Sequence, residues 1–115
     1  MSSVVVRALL VAVATGCASP VLAESAENAL RHAGEVMALE KLCSRLIVNQ
    51  TALAFMLVGN GADLQRPDHK AIALEQARSD IRAWSGKDGD AACVAGMLLY
   101  GPNGSSVPGI IKLRR

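Results

Sequence analysis

The sequence predicts a small all-α domain of three to four helices with a C-terminal extended strap, stapled by one long-range disulfide. Three observations carry that reading. The chain is rich in Ala, Leu and Arg and holds one Phe, one Trp and one Tyr, a balance that favours helix over strand. Apolar residues recur at spacings of three and four through most of its length, as one face of a helix requires. Beyond the leader only two cysteines occur, Cys43 and Cys93.

Residues 1–23 read as a secretory signal peptide. Arg7 supplies the basic start, Ala8 to Ala14 the apolar run, and Val21-Leu22-Ala23 the small-residue cleavage site before Glu24, the three parts of an export signal. The apolar run is too short to span a bilayer, which takes about 20 residues. Ala14-Thr15-Gly16-Cys17 also resembles a bacterial lipobox. Processing there would make Cys17 the lipidated first residue and tether the domain to a membrane surface. That box carries Ala14 where such boxes usually carry Leu, so cleavage after Ala23 is the expected route, leaving residues 24–115 as one small helical domain.

A domain of this size buries only about 60 to 65% of its unfolded surface, so a covalent staple matters. Cys43 and Cys93 are 50 positions apart, and closing that loop removes about 4 kcal/mol of unfolded-state entropy in the chain-entropy account. An even cysteine count in an exported chain favours a bond over two buried thiols. A zinc site would need further ligands, and neither His32 nor His69 has the required spacing.

The first periodic segment starts near Ser25 and carries Val36, Leu39, Cys43, Leu46, Ile47, Leu53 and Leu57. It reads as one long helix, or two joined near Asn49. Thr51 to Val58 is apolar all round, which suits a helix buried in the middle of the fold, and Gly59-Asn60-Gly61 ends it. The next helix is bounded by Pro67 and Asp68 at its start and Gly86 past its end. Leu74, Ala77, Ile81 and Trp84 form its apolar stripe. Trp84 is read as space-filling core in an Ala-rich helix, with a ligand platform as the alternative. A short helix from Ala91 to Tyr100 follows, with Asp90 as its cap and Cys93 in its first turn. Asp88 and Asp90 invite a calcium reading, but an EF-hand loop needs more oxygen ligands at set spacing and a terminal Glu.

Tyr100-Gly101-Pro102-Asn103-Gly104 is the most distinctive local signature. Pro102 presets a turn, and Asn103-Gly104 tolerates left-handed backbone. As a binding loop it would present Tyr100, Pro102 and Asn103; the plainer reading packs Tyr100 under its own turn. Val107 to Ile111 then forms the strap, ending in an exposed basic tail of Lys112, Arg114 and Arg115.

Lys plus Arg number 12 against 10 acids, and Arg7 leaves with the leader. No basic stripe with interleaved aromatics occurs, so nucleic acid is not an expected partner. Two N-glycosylation sequons, at Asn49 and Asn103, matter only in a eukaryotic secretory pathway, and Asn49 would sit awkwardly within a helix. No nucleophile elbow, H-E-x-x-H or P-loop motif is found. His32 with Glu35, and His69 near the second helix start, read as surface polar groups rather than acid–base pairs. No enzyme activity, metal or cofactor is expected.

In outline the chain is similar to the small periplasmic acid-stress chaperones of enteric bacteria, which are exported, helical and stapled by one long-range disulfide. The likeness is one of architecture, and no residue role is carried over from it. The leading expectation is a non-enzymatic exported protein of the periplasm that binds another envelope protein through a helix face or the Tyr100 turn. The alternatives are a periplasmic acid or stress chaperone, as the resemblance implies, and a small-ligand carrier.

Intact-mass measurement of the exported protein checks the processing scheme. The expected mass is that of a chain beginning at Glu24; a diacylated species beginning at Cys17 would replace it.

Overall fold

A computed structural model describes residues 24–114; the expected leader, with Cys17 as the alternative lipidation position, and Arg115 lie outside the described residues. The chain forms α1 (Glu24–Leu42), β1 (Leu46–Val48), α2 (Gln50–Gly59), α3 (Pro67–Trp84), α4 (Gly89–Tyr100) and β2 (Ile111–Leu113). The fold is all-α, with one small antiparallel ribbon that pairs Leu46 with Leu113, Ile47 with Lys112 and Val48 with Ile111.

α1 is the axis on which α2, α3, α4 and β1 all pack. Glu24 and Glu27 in its first turn and Lys41 in its last complement its dipole. It buries two faces. Leu30, Ala33, Val36 and Leu39 join the main core, which continues through Cys43, Leu46, Leu53, Leu57, Cys93, Tyr100, Ile110 and Ile111. Gly34 faces the other way and meets Ala73 and Ala77 of α3 in a seam of small residues, and Ala38, one turn on, is also buried. A Cβ at Gly34 would strike the Ala73 carbonyl oxygen and lie 2.7 Å from Gln76 Cβ, so the two backbones approach as closely as only glycine allows.

Of the two readings of the long periodic segment, two helices meeting near Asn49 is the one observed, with an extended stretch between them. α1 stops at Leu42, the chain turns through a Leu46 N–H to Cys43 carbonyl bond, and Leu46-Ile47-Val48 is extended. Leu46 and Val48 are buried and Ile47 is half-buried, the alternation of a strand. Asn49 does not lie inside a helix. It caps α2, its side chain accepting the Ala52 N–H at 3.0 Å. α2 is also not central: Leu53 and Leu57 are buried, but Phe55 and Val58 are each 73% exposed.

α3 begins at Pro67 in the first helical position and ends at Trp84, with Gly86 at φ +84° beyond it. Its most buried positions are His69, Ala73 and Ala77, whereas Leu74, Ile81 and Trp84 are half-buried. The stripe is rotated toward the alanines because the Gly34 seam draws that side inward. α4 starts two residues before the expected Ala91. Its cap is Asp88, not Asp90: the Asp88 side chain accepts the Asp90 N–H at 3.0 Å. Cys43 and Cys93 are bonded, their Cα atoms 5.3 Å apart, which ties the end of α1 to α4.

The Gly34 seam is tested by two alanine substitutions read as thermal melts. Gly34→Ala should destabilise by about 1 to 3 kcal/mol, since the helices must separate, although alanine is the better helix former. Gly59→Ala, where an added Cβ meets nothing within 4 Å, should be neutral or mildly stabilising.

Candidate functional site

The one constellation of titratable side chains in the interior joins α1 to the end of α4. Tyr100 is the last residue of α4 and is 0% exposed. Its hydroxyl donates to Glu35 Oε1 at 2.5 Å. With that proton committed, the 2.9 Å contact to His32 has the imidazole Nδ1–H donating to the phenol oxygen. His32 and Glu35, three residues apart on α1, thus grip the hydroxyl from one helix face. The rings of His32 and Tyr100 meet edge-on, with centroids 5.8 Å apart. Burial, followed by the hydrogen bond and negative charge of Glu35, pushes the Tyr100 phenol far above its ordinary range. The neutral phenol is engaged both as donor and as acceptor. Its chemistry here is that of a clasp between helices.

Tyr100 is therefore not displayed by the turn that follows it; it is buried, with its hydroxyl held by α1. That loop is organised by the carbonyls at the end of α4. Gly101 N–H bonds to Met97, Ser105 to Leu98, Ser106 and Val107 to Leu99, and Ile110 to Tyr100. A helix end leaves four carbonyls without intrahelical partners, and residues 101–110 return to satisfy all four. The left-handed residue is Gly109 at φ +84°, not Asn103 or Gly104. Pro102 and Asn103 are exposed at the tip, and Trp84 packs half-buried against the core. Of the four possible interaction residues, Tyr100 is buried, Trp84 is half-buried, and Pro102 and Asn103 lie exposed at the tip.

The exposed apolar surface lies elsewhere. Val94 is 56%, Leu98 66% and Leu113 44% exposed, and with Arg45, Cys93 and Met97 they line a shallow groove of about 230 Å³. A second groove of about 250 Å³ runs between α2 and residues 62–64, beside exposed Phe55 and Val58. The signal for both was present in the sequence. α2 has no charged residue and α4 has none after Asp90. Their outward positions, 51, 54, 55 and 58 on α2 and 94 and 98 on α4, follow the spacing of a helix stripe.

The β2 end is less free than a tail. The Arg114 N–H bonds to the Arg45 carbonyl and its Nε to the Ser44 carbonyl at 3.4 Å, while Lys112 and Arg114 remain exposed. Near the start of α3, Arg66 hydrogen-bonds both carboxylate oxygens of Asp68 and holds that carboxyl below the usual range. Among the described residues no three His, Cys, Asp or Glu side chains group as metal ligands, and no helix is long and apolar enough to cross a membrane. No family model, curated protein or solved structure matches this chain.

Tyr100 is the only tyrosine, so absorbance near 295 nm reads it alone. Its raised value means the stability it contributes is fully present below about pH 10, the unfolded value, and declines as pH climbs above that toward the folded one. Phenolate absorbance should therefore rise together with loss of helical circular dichroism, not before it. Tyr100→Phe should remove this coupling and cost about 1 to 2 kcal/mol.

Proposed function

We propose that this is an exported, non-enzymatic domain that binds another envelope protein through the apolar face shared by α4 and β2. The observation that carries the reading is the clustering of Val94, Leu98 and Leu113 in the open, on a helix without a charge after Asp90. Contiguous exposed apolar surface on a small domain marks an interaction site. Arg45, 61% exposed and only loosely met by Asp90 at 3.5 Å, gives that face one positive border. The complementary partner is an apolar segment with an acidic neighbour. A bonded cysteine pair fits an oxidising compartment, and the leader favours the periplasm, with anchorage through Cys17 as the alternative.

Catalysis has little support in this arrangement, because the Tyr100 cluster is occupied with itself. Small-ligand carriage is also poorly supported: both grooves are shallow and below the roughly 300 Å³ at which ligand pockets begin. A stress chaperone is the second reading, favoured by Phe55 and Val58 of α2, which offer apolar surface without any unfolding.

Site-specific photo-crosslinking in the periplasm separates these readings. A crosslinker at Leu98 should yield one discrete adduct, whereas one at exposed Ser79 should not, and Val94→Asp should abolish the adduct without loss of helical signal. A smear of many adducts, with client aggregation suppressed by the wild type and not by Phe55→Ser, would favour the chaperone.

A further inference from the structure

The segment between α2 and α3 is held by a histidine. His69 in the first turn of α3 is 2% exposed, and its Nδ1 accepts the Asp63 backbone N–H at 3.0 Å. The proton of the neutral ring is therefore on Nε2, which is buried and has no hydrogen-bond partner among the described residues. An imidazolium carries an N–H on both nitrogens. Protonation would set one donor against another at Asp63 and place a charge where the site is closed to water.

We propose that His69 is an acid-sensitive latch whose protonation releases the Asp63 N–H, and with it residues 63–64 of the wall of the apolar groove along α2, while Ala62 stays bonded to the Leu57 carbonyl. The groove is bounded by Leu53, Leu57 and Val58 on one side and by this segment on the other, so releasing the segment widens it. Histidine is the side chain suited to such a change between pH 5 and 8.

The charged surroundings do not offer the ring a compensating partner. α2 carries no titratable residue. The Asp63 carboxylate accepts the Gln65 N–H at 2.9 Å, and that of Asp68 is taken by Arg66. Lys70 on α3 is exposed. α1 runs antiparallel to α3, with Arg31 reaching Gln76 and Gly34 lying against Ala73 and Ala77. Glu40 and Lys41 are thus the charged residues of α1 nearest the level of His69, and both are exposed. His32 is the internal contrast: its Nδ1 donates to Tyr100, so gaining a proton on Nε2 leaves that bond intact. The latch goes beyond the binding role and holds whatever occupies either groove.

Amide hydrogen exchange of the oxidised protein, followed by NMR and corrected for intrinsic rates, tests the latch. Protection of the Asp63 amide should fall by about tenfold or more from pH 8 to pH 5, as a local opening does. In His69→Gln, whose side-chain carbonyl can accept the same N–H without titrating, protection should stay nearly constant. Constant protection in the wild type, or an equal fall in the variant, would overturn the proposal. Ring ¹⁵N shifts of the wild type decide the matter even if the variant does not fold. The Nε2–H tautomer at pH 8, with the Asp63 amide shift following ring protonation at a common midpoint, is expected. A Nδ1–H tautomer, or an Asp63 amide indifferent to the ring, refutes the latch.

Discussion

Space in this domain is filled by bringing backbones together, because the sequence supplies few large side chains with which to fill it. With three aromatics in the whole chain, of which Phe55 points outward, the interior between α1 and α3 can be dense only if the helices nearly touch. Gly34, Ala73 and Ala77 permit that approach. The second face of α1 is then free for the larger residues of the main core. Both faces depend on one helix, so a shift in the α1–α3 seam is felt on the opposite side, where Tyr100 and the ribbon are seated. A close-packed interior transmits such a displacement rather than absorbing it.

The disulfide and the Tyr100 hydroxyl work at opposite ends of the α1–α4 contact. Cys43 with Cys93 fixes the start of α4 against the end of α1, while His32 and Glu35 hold the end of α4 further back along α1. Two attachments on one helix remove the rotation that one would leave. This arrangement explains how α4 can face solvent with Val94 and Leu98 and still keep its position: its placement does not rely on burying every apolar side chain it carries.

What the sequence made legible was local. Pro67, Gly86 and Gly61 punctuate the helices because their backbone preferences act where they stand, and the even cysteine count announced the staple. Interactions between distant segments were hidden. Leu46-Ile47-Val48 fits helical spacing as well as strand spacing, and only pairing with residues 111–113 decides between them. The exposure of α2 was misread for a related reason, since a charge-free helix looks the same to a sequence whether it is surrounded or merely uncovered. Asp88 and Asp90 are both good caps, and a two-residue difference in where α4 starts is within the freedom that local signals leave. For the candidate site, the His32–Glu35 spacing was visible, but the hydroxyl between them comes from a residue 65 positions beyond Glu35. No local pattern could announce it.

The ribbon also has a consequence for the order of events during synthesis. β1 lies early in the chain, and its partner β2 comes more than sixty residues later, directly after the loop that satisfies the last carbonyls of α4. Until residues 101–113 have emerged, the end of α4 lacks its hydrogen-bond partners and Leu46 and Val48 have no strand beside them. The α1–α3 seam can form from residues already made, but the main core cannot be completed before Ile110 and Ile111 arrive, because the contacts that complete it join distant positions. For a chain exported unfolded, as proposed, that delay would be an advantage. The architecture postpones completion of the core by assigning its final fastening to residues 101–113.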